Sequence, residues 1–189
     1  TLHDGLTHVL VDRGVDYLIE PEGAGWTREH VTDPAHESRW TPYPGKRINL
    51  SRELRPVWLR FRIDNHGPGL VERILSIDWP LLEDIHAHVY DLAQARWRVP
   101  LHGGAAWGDD GQMLKDPAHL FPLRIEVGQS VEVVLRVQTN SPFFVPLEIW
   151  ERTHFQTTRY DHVFLMGWLF GILGIMLLYN ASLALFTRE

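Results

Sequence analysis

The chain has 189 residues, 18 Lys plus Arg against 24 Asp plus Glu, a formal net charge of −6 and no cysteine. That length suits one soluble domain with a short appendage, and the acidic balance removes the basic face that nucleic-acid binding needs and weighs against docking on anionic lipid. Without cysteine a disulfide scaffold, a thiolate zinc site, an iron–sulfur cluster and a cysteine nucleophile are all excluded.

In chain order, the first predicted element is a short helix from Arg28 to Val31, with Thr27 as its cap and a stop before Asp33-Pro34. Period-two alternation then dominates. Over Val57–Asp64, Val57, Leu59, Phe61 and Ile63 share one face and Trp58, Arg60, Arg62 and Asp64 the other. Asn65-His66-Gly67-Pro68-Gly69 cannot continue a strand and reads as a turn. Weaker strand candidates follow at Glu72–Ile77 and Trp97–Leu101. Between them Ile85–Tyr90 alternates clearly, with His86, His88 and Tyr90 facing out. Turns at Gly103-Gly104 and Val127-Gly128-Gln129 flank a candidate strand at His119–Ile125; Ser130–Gln138 and Leu147–Trp150 complete the set. Short strands at this spacing, joined by Gly/Pro turns, predict an all-β antiparallel sandwich of jelly-roll type over residues 1–150.

Residues 151–162 contain neither Gly nor Pro and read as a stiff helical connector. Val163–Phe186 then runs 24 residues without a charged side chain. At 1.5 Å per residue that is about 36 Å of helix, enough to cross a hydrocarbon layer of about 30 Å. A membrane span is expected, and a chain stopping at Glu189 is expected to be a piece of a longer membrane protein. Gly167, Gly171 and Gly174 place small residues near one helix face, and Asn180 calls for a hydrogen-bond partner, so packing against other helices is expected.

Enzymatic signatures are missing from the sequence: there is no G-x-S-x-G, no H-E-x-x-H and no phosphate loop. Flat aromatics beside Asp suit a sugar site, where ring faces stack and polar groups bond hydroxyls. Trp58, Trp79 and Trp107 with Asp109 and Asp110 are the candidates. Asp78, Glu83 and Asp84 form an alternative calcium set, since calcium takes six to eight oxygen ligands. The pair His86-x-His88 shares a strand face and could serve a transition metal only with a third ligand. Eleven histidines also permit a response to mild acid.

The order of VWLRFRIDN (57–65), LSIDWPLLEDIHAHVYD (75–91), HLFPLRIEVGQSVEVVLRVQTNSPFFVPLEIW (119–150) and LLYN (177–180) resembles the second type of extracellular sensor domain of bacterial seven-helix receptors with diverse intracellular signalling modules (7TMR-DISMED2). The resemblance implies a periplasmic jelly roll similar to carbohydrate-binding modules, with residues 1–162 outside the inner membrane and residues 163–186 as the first of seven membrane helices. It implies a cytoplasmic histidine kinase, often hybrid and acting in a two-component system, or a diguanylate cyclase, none of it encoded in these residues. Sugars, and calcium for some members, are the implied ligands, and no cofactor is required. Asp78 with Trp79-Pro80 falls where the family has an acidic residue before an aromatic–proline turn. A ligand-free domain that contacts a second copy or another receptor protein is the remaining alternative.

Overall fold

In the computed structural model, residues 7–45, 47–107 and 118–186 are described, and the chain divides into a head, Thr1–Glu151, and a helical unit, Arg152–Glu189. Each alternating segment of the head became a strand because one of its faces is apolar and can only be covered by another sheet. The strands are β1 (His8–Leu10), β2 (Val15–Ile19), β3 (Thr41–Pro42), β4 (Ile48–Ser51), β5 (Val57–Asp64), β6 (Val71–Ile77) and β7 (Asp84–Asp91). They continue with β8 (Arg96–Trp97), β9 (Leu101–Gly103), β10 (His119–Ile125), β11 (Ser130–Gln138), β12 (Phe143–Val145) and β13 (Leu147–Glu151).

One sheet has the order β1-β13-β6-β10; the other runs β3-β2-β5-β11-β7-β8 with β9 also on β7, and β12 pairs with β4. Every pairing is antiparallel. Leu75, Phe121, Leu123 and Ile149 of the smaller sheet meet Leu59, Phe61, Val133 and Leu135 of the larger one in a single buried core. The head is therefore an antiparallel β-sandwich, as the alternation predicts. The long central strands β5 and β11 match the predicted spans residue for residue.

Several elements depart from the sequence reading. Strands β1 to β4 and β12 carry too few alternating residues to be seen in advance. The expected strand Trp97–Leu101 is two strands, since Pro100 has no N–H to give a ladder. Helix α1 is Arg28–Val31, but the side chain of Thr27 makes no capping bond. After α1 a 3-10 helix, Pro34–Arg39, is capped by the Asp33 carboxylate, which accepts from the Ala35 N–H at 2.8 Å.

Two turns show why their residues are needed. Asn65 is buried, and its amide nitrogen lies 3.0–3.1 Å from the carbonyls of Gly69, Ile125 and Glu126, so one side chain ties two neighbouring turns together. Gly104 has φ +106°, and a Cβ there would stand 2.4 Å from the Glu83 carbonyl oxygen. Only glycine fits.

The helical unit is α2, Arg152–Phe186, continuous through both the connector and the apolar run. Its stretch Phe164–Leu185, 22 residues with a mean hydropathy of 1.8 and wholly exposed, is long and apolar enough to cross a membrane. Gly167 and Gly171 open an apolar notch on this helix beside Phe164, Trp168, Ile172 and Ile175, and an added Cβ at Gly167, Gly171 or Gly174 would meet nothing within 4 Å. The amide of Asn180 donates to the Met176 carbonyl at 2.8 Å, one turn back on its own helix, so that donor is met without a second helix.

Candidate functional site

The outer face of the larger sheet is a grid fixed by strand register. One row reads Leu18, Trp58, Arg136, His86, His102 across β2, β5, β11, β7 and β9. The next reads Asp16, Arg60, Val134, His88, and a third Arg62, Glu132, Tyr90, Trp97. Residues 20–40 lie over part of this grid. Leu18, Val31, Trp40, Trp58 and Val134 form a second core beneath them, with Trp26 and Trp97 packed at its margin.

This cover is pinned by charge. Glu20 is buried and accepts from the Trp26 N–H at 3.0 Å, from Trp58 Nε1 at 3.0 Å and from Arg136 Nε at 3.3 Å. Arg60 holds the carboxylate of Glu37 through two bonds of 2.7 and 2.8 Å, reaches Asp16 at 3.1 Å, and lies over the Trp40 ring at 4.6 Å. The bond to Glu37, more than any other cause, raises the Arg60 pKa. Arg28 of the cover lies over Trp97 at 4.7 Å.

Trp58 is consequently 1% exposed, and its expected place on an open polar face is corrected. Alternation identified the right face; the cover removes that part of it from solvent, and the ring is not available to stack on a ligand here. Trp79 is also not an open platform. It is half-buried against the main core and meets Phe144 edge-on at 5.1 Å. Asp109 and Asp110 lie outside the described residues.

Trp107 remains 41% exposed at the uncovered margin. Its Nε1 donates to Asp84 Oδ1 at 2.7 Å, and its ring stacks on His102 at 4.3 Å with His86 perpendicular at 5.6 Å. Asp84 also lies 3.0 Å from His86 Nε2 and 3.3 Å from Arg136. Thus Asp84, His86, His102, Trp107 and Arg136 form one half-exposed cluster joined through Arg136 to Glu20 and the cover. Asp84 and Trp107 belong to different candidate sets in the sequence, and the fold brings them together. His86, His102 and Arg136 become recognisable as site residues only once the register is known, although the outward alternation of β7 is visible in the sequence.

The calcium set does not converge in the same way. Asp78 is exposed, Glu83 accepts from the Asn140 amide at 2.6 Å, and Asp84 is engaged as described. Among the described residues no three His, Cys, Asp or Glu side chains are grouped to hold a metal ion, the histidine pair included.

Burial lowers the pKa of His88 to about 4, with the positive charge of Arg28 and the neighbouring His86 and His102 acting in the same direction. Burial, followed by His86, also lowers that of His102. Both rings are therefore uncharged near neutral pH. A recess with a flat indole, imidazoles and an internally paired carboxylate can bind a small polar ligand that has an apolar face.

No match was found among curated proteins. The family model described as 7TMR-DISM extracellular 2 matches residues 12–151, which takes in the head from before β2 to the end of β13. That family is one of extracellular sensor domains, not itself catalytic, and with the apolar helix α2 it fits a membrane protein whose head senses on the periplasmic side. The chain belongs to the 7TMR-DISM extracellular 2 family.

Proposed function

We propose that the chain is the ligand-sensing head and first membrane helix of an inner-membrane signalling receptor, with a carbohydrate as ligand and a hybrid histidine kinase as its output. One observation supports this most: the exposed Trp107 is held beside Asp84, His86, His102 and Arg136 on the part of a sheet face that the cover leaves open. An indole face and fixed polar groups at its edge are what sugar rings require.

Ligand binding would favour one arrangement of the recess and cover over another, and α2 would carry the difference onward. The signal can be no larger than the ligand's differential affinity for the two states; tenfold discrimination supplies about 1.4 kcal/mol. Binding of the intact chain to a glycan array tests the reading. Specific saccharide signals that Trp107→Ala reduces at least tenfold are expected. Signals unchanged by that substitution would move the site elsewhere.

A further inference from the structure

The carbohydrate reading can be made more specific, because the recess has already paired its charges. On that reading, the geometry points to an uncharged saccharide as the ligand, with His86 and His102 bonding its hydroxyl groups and Trp107 carrying its ring.

Consider the charged groups first. The carboxylate of Asp84 takes Trp107 Nε1 at 2.7 Å, His86 Nε2 at 3.0 Å and Arg136 at 3.3 Å. Arg136 also donates to Glu20 at 3.3 Å and to Gln138 at 3.4 Å. Glu20, buried, has three donors of its own. A charged group entering this recess would meet charges that are already engaged: Arg136 is bonded to both Asp84 and Glu20, and each of those carboxylates already holds three donors. It would have to break one of these pairs, or lose its water without replacement, and both are costly.

The imidazoles are different. A carboxylate only accepts, so His86 Nε2 carries the proton it gives to Asp84, and with that single proton on the ring Nδ1 is left as an acceptor. That nitrogen has no partner among the described residues. In His102 the buried nitrogen without a partner is Nδ1. A buried N–H without an acceptor is the less tolerable state of that atom, so the proton belongs on Nε2, which becomes a donor. The depressed pKa of His102 keeps this ring neutral.

The recess thus presents one acceptor and one donor a ring-width apart, the His86 and His102 centroids being 4.7 Å from each other. A hydroxyl both donates and accepts, so vicinal hydroxyls can satisfy both nitrogens. An ammonium can only donate and a carboxylate only accept. His102 covers one face of Trp107 and leaves the indole 41% exposed to carry the apolar face of a sugar ring.

The test uses the full chain in lipid nanodiscs and matched trimers of glucose, galactose and mannose, each with its amino and its uronic counterpart, measured by thermophoresis at pH 7.4. At least one neutral trimer is expected to bind, with both charged counterparts at least tenfold weaker. His102→Phe keeps a ring against Trp107 but removes the N–H, and it should weaken the neutral trimer about three- to tenfold. A charged trimer that binds as well as its neutral parent would overturn the uncharged-ligand inference and leave the carbohydrate reading standing. Failure of every trimer would overturn the carbohydrate reading and this inference with it. An unaltered affinity in His102→Phe would remove His102 from the recognition, and if that variant does not fold, the comparison on the unmodified chain decides.

Discussion

His88 sits in register with Val134, its ring 6.3 Å from Trp58 and 6.4 Å from Trp97, with Nδ1 buried and without a partner. Burial and the adjoining Arg28, His86 and His102 hold its pKa near 4, while Glu29 acts weakly the other way. The folded value lies below the ordinary 6.5, so between those two pH values the unfolded chain binds the extra proton. Stability should therefore be intact above about pH 6.5 and fall as the pH drops toward 4. His88→Phe, which keeps an uncharged ring in place, should flatten that fall in the thermal midpoint between pH 7 and 4.5. An equally steep loss in the variant would assign the acid sensitivity to other groups. The alternation of His86-x-His88 reveals which way these rings face. It does not reveal that one lies beside Arg28 of the cover and the other beside Trp107, because that depends on residues more than forty positions earlier in the chain and on a turn that follows β9.

Among the elements, the strands with one apolar face were the legible ones. Val57–Asp64 and Ser130–Gln138 could be outlined in advance because burial on one side only imposes a period of two. The cover, residues 20–40, has no such period: it is a four-residue α-helix, a 3-10 turn and irregular chain. Its order comes from packing its own Val31 and Trp40 on Leu18, Trp58 and Val134 of the sheet, with Glu20 and Arg60 at its fastenings. Glu20→Ala should therefore release it. The loss of a buried acceptor for Trp58 and Arg136 should cost about 2–4 kcal/mol of head stability, and Glu20→Gln, which keeps one acceptor oxygen, should cost less. Limited trypsin digestion reads the same event as faster cleavage after Arg28 and Arg39, with a red-shifted tryptophan emission. Unchanged cleavage in Glu20→Ala would show that Arg60 alone holds the cover.

At the scale of the whole molecule, a strand-built sensing head and an apolar helix set two different solvents for one chain. The absence of cysteine makes the topology directly measurable. A cysteine at Val99, 83% exposed on the head, should react with a membrane-impermeant maleimide in intact spheroplasts. One at Glu189 should react only after permeabilisation. The reverse pattern would place the head in the cytoplasm and remove the periplasmic sensing role.

Local pattern alone carries the alternating strands, the Gly and Asn turns, the apolar run of α2 and the family. These follow from which residues must leave water and how often, a property each segment carries alone. Which tryptophan is open is settled by the fold, since Trp58 faces the polar side of its strand and yet lies under residues 20–40, while Trp107 lies beyond their edge. The fold also decided that Asp84 serves an arginine, a histidine and an indole in place of a cation. Those partners come from β7, β11 and the turn after β9, and only strand register brings them within hydrogen-bond distance.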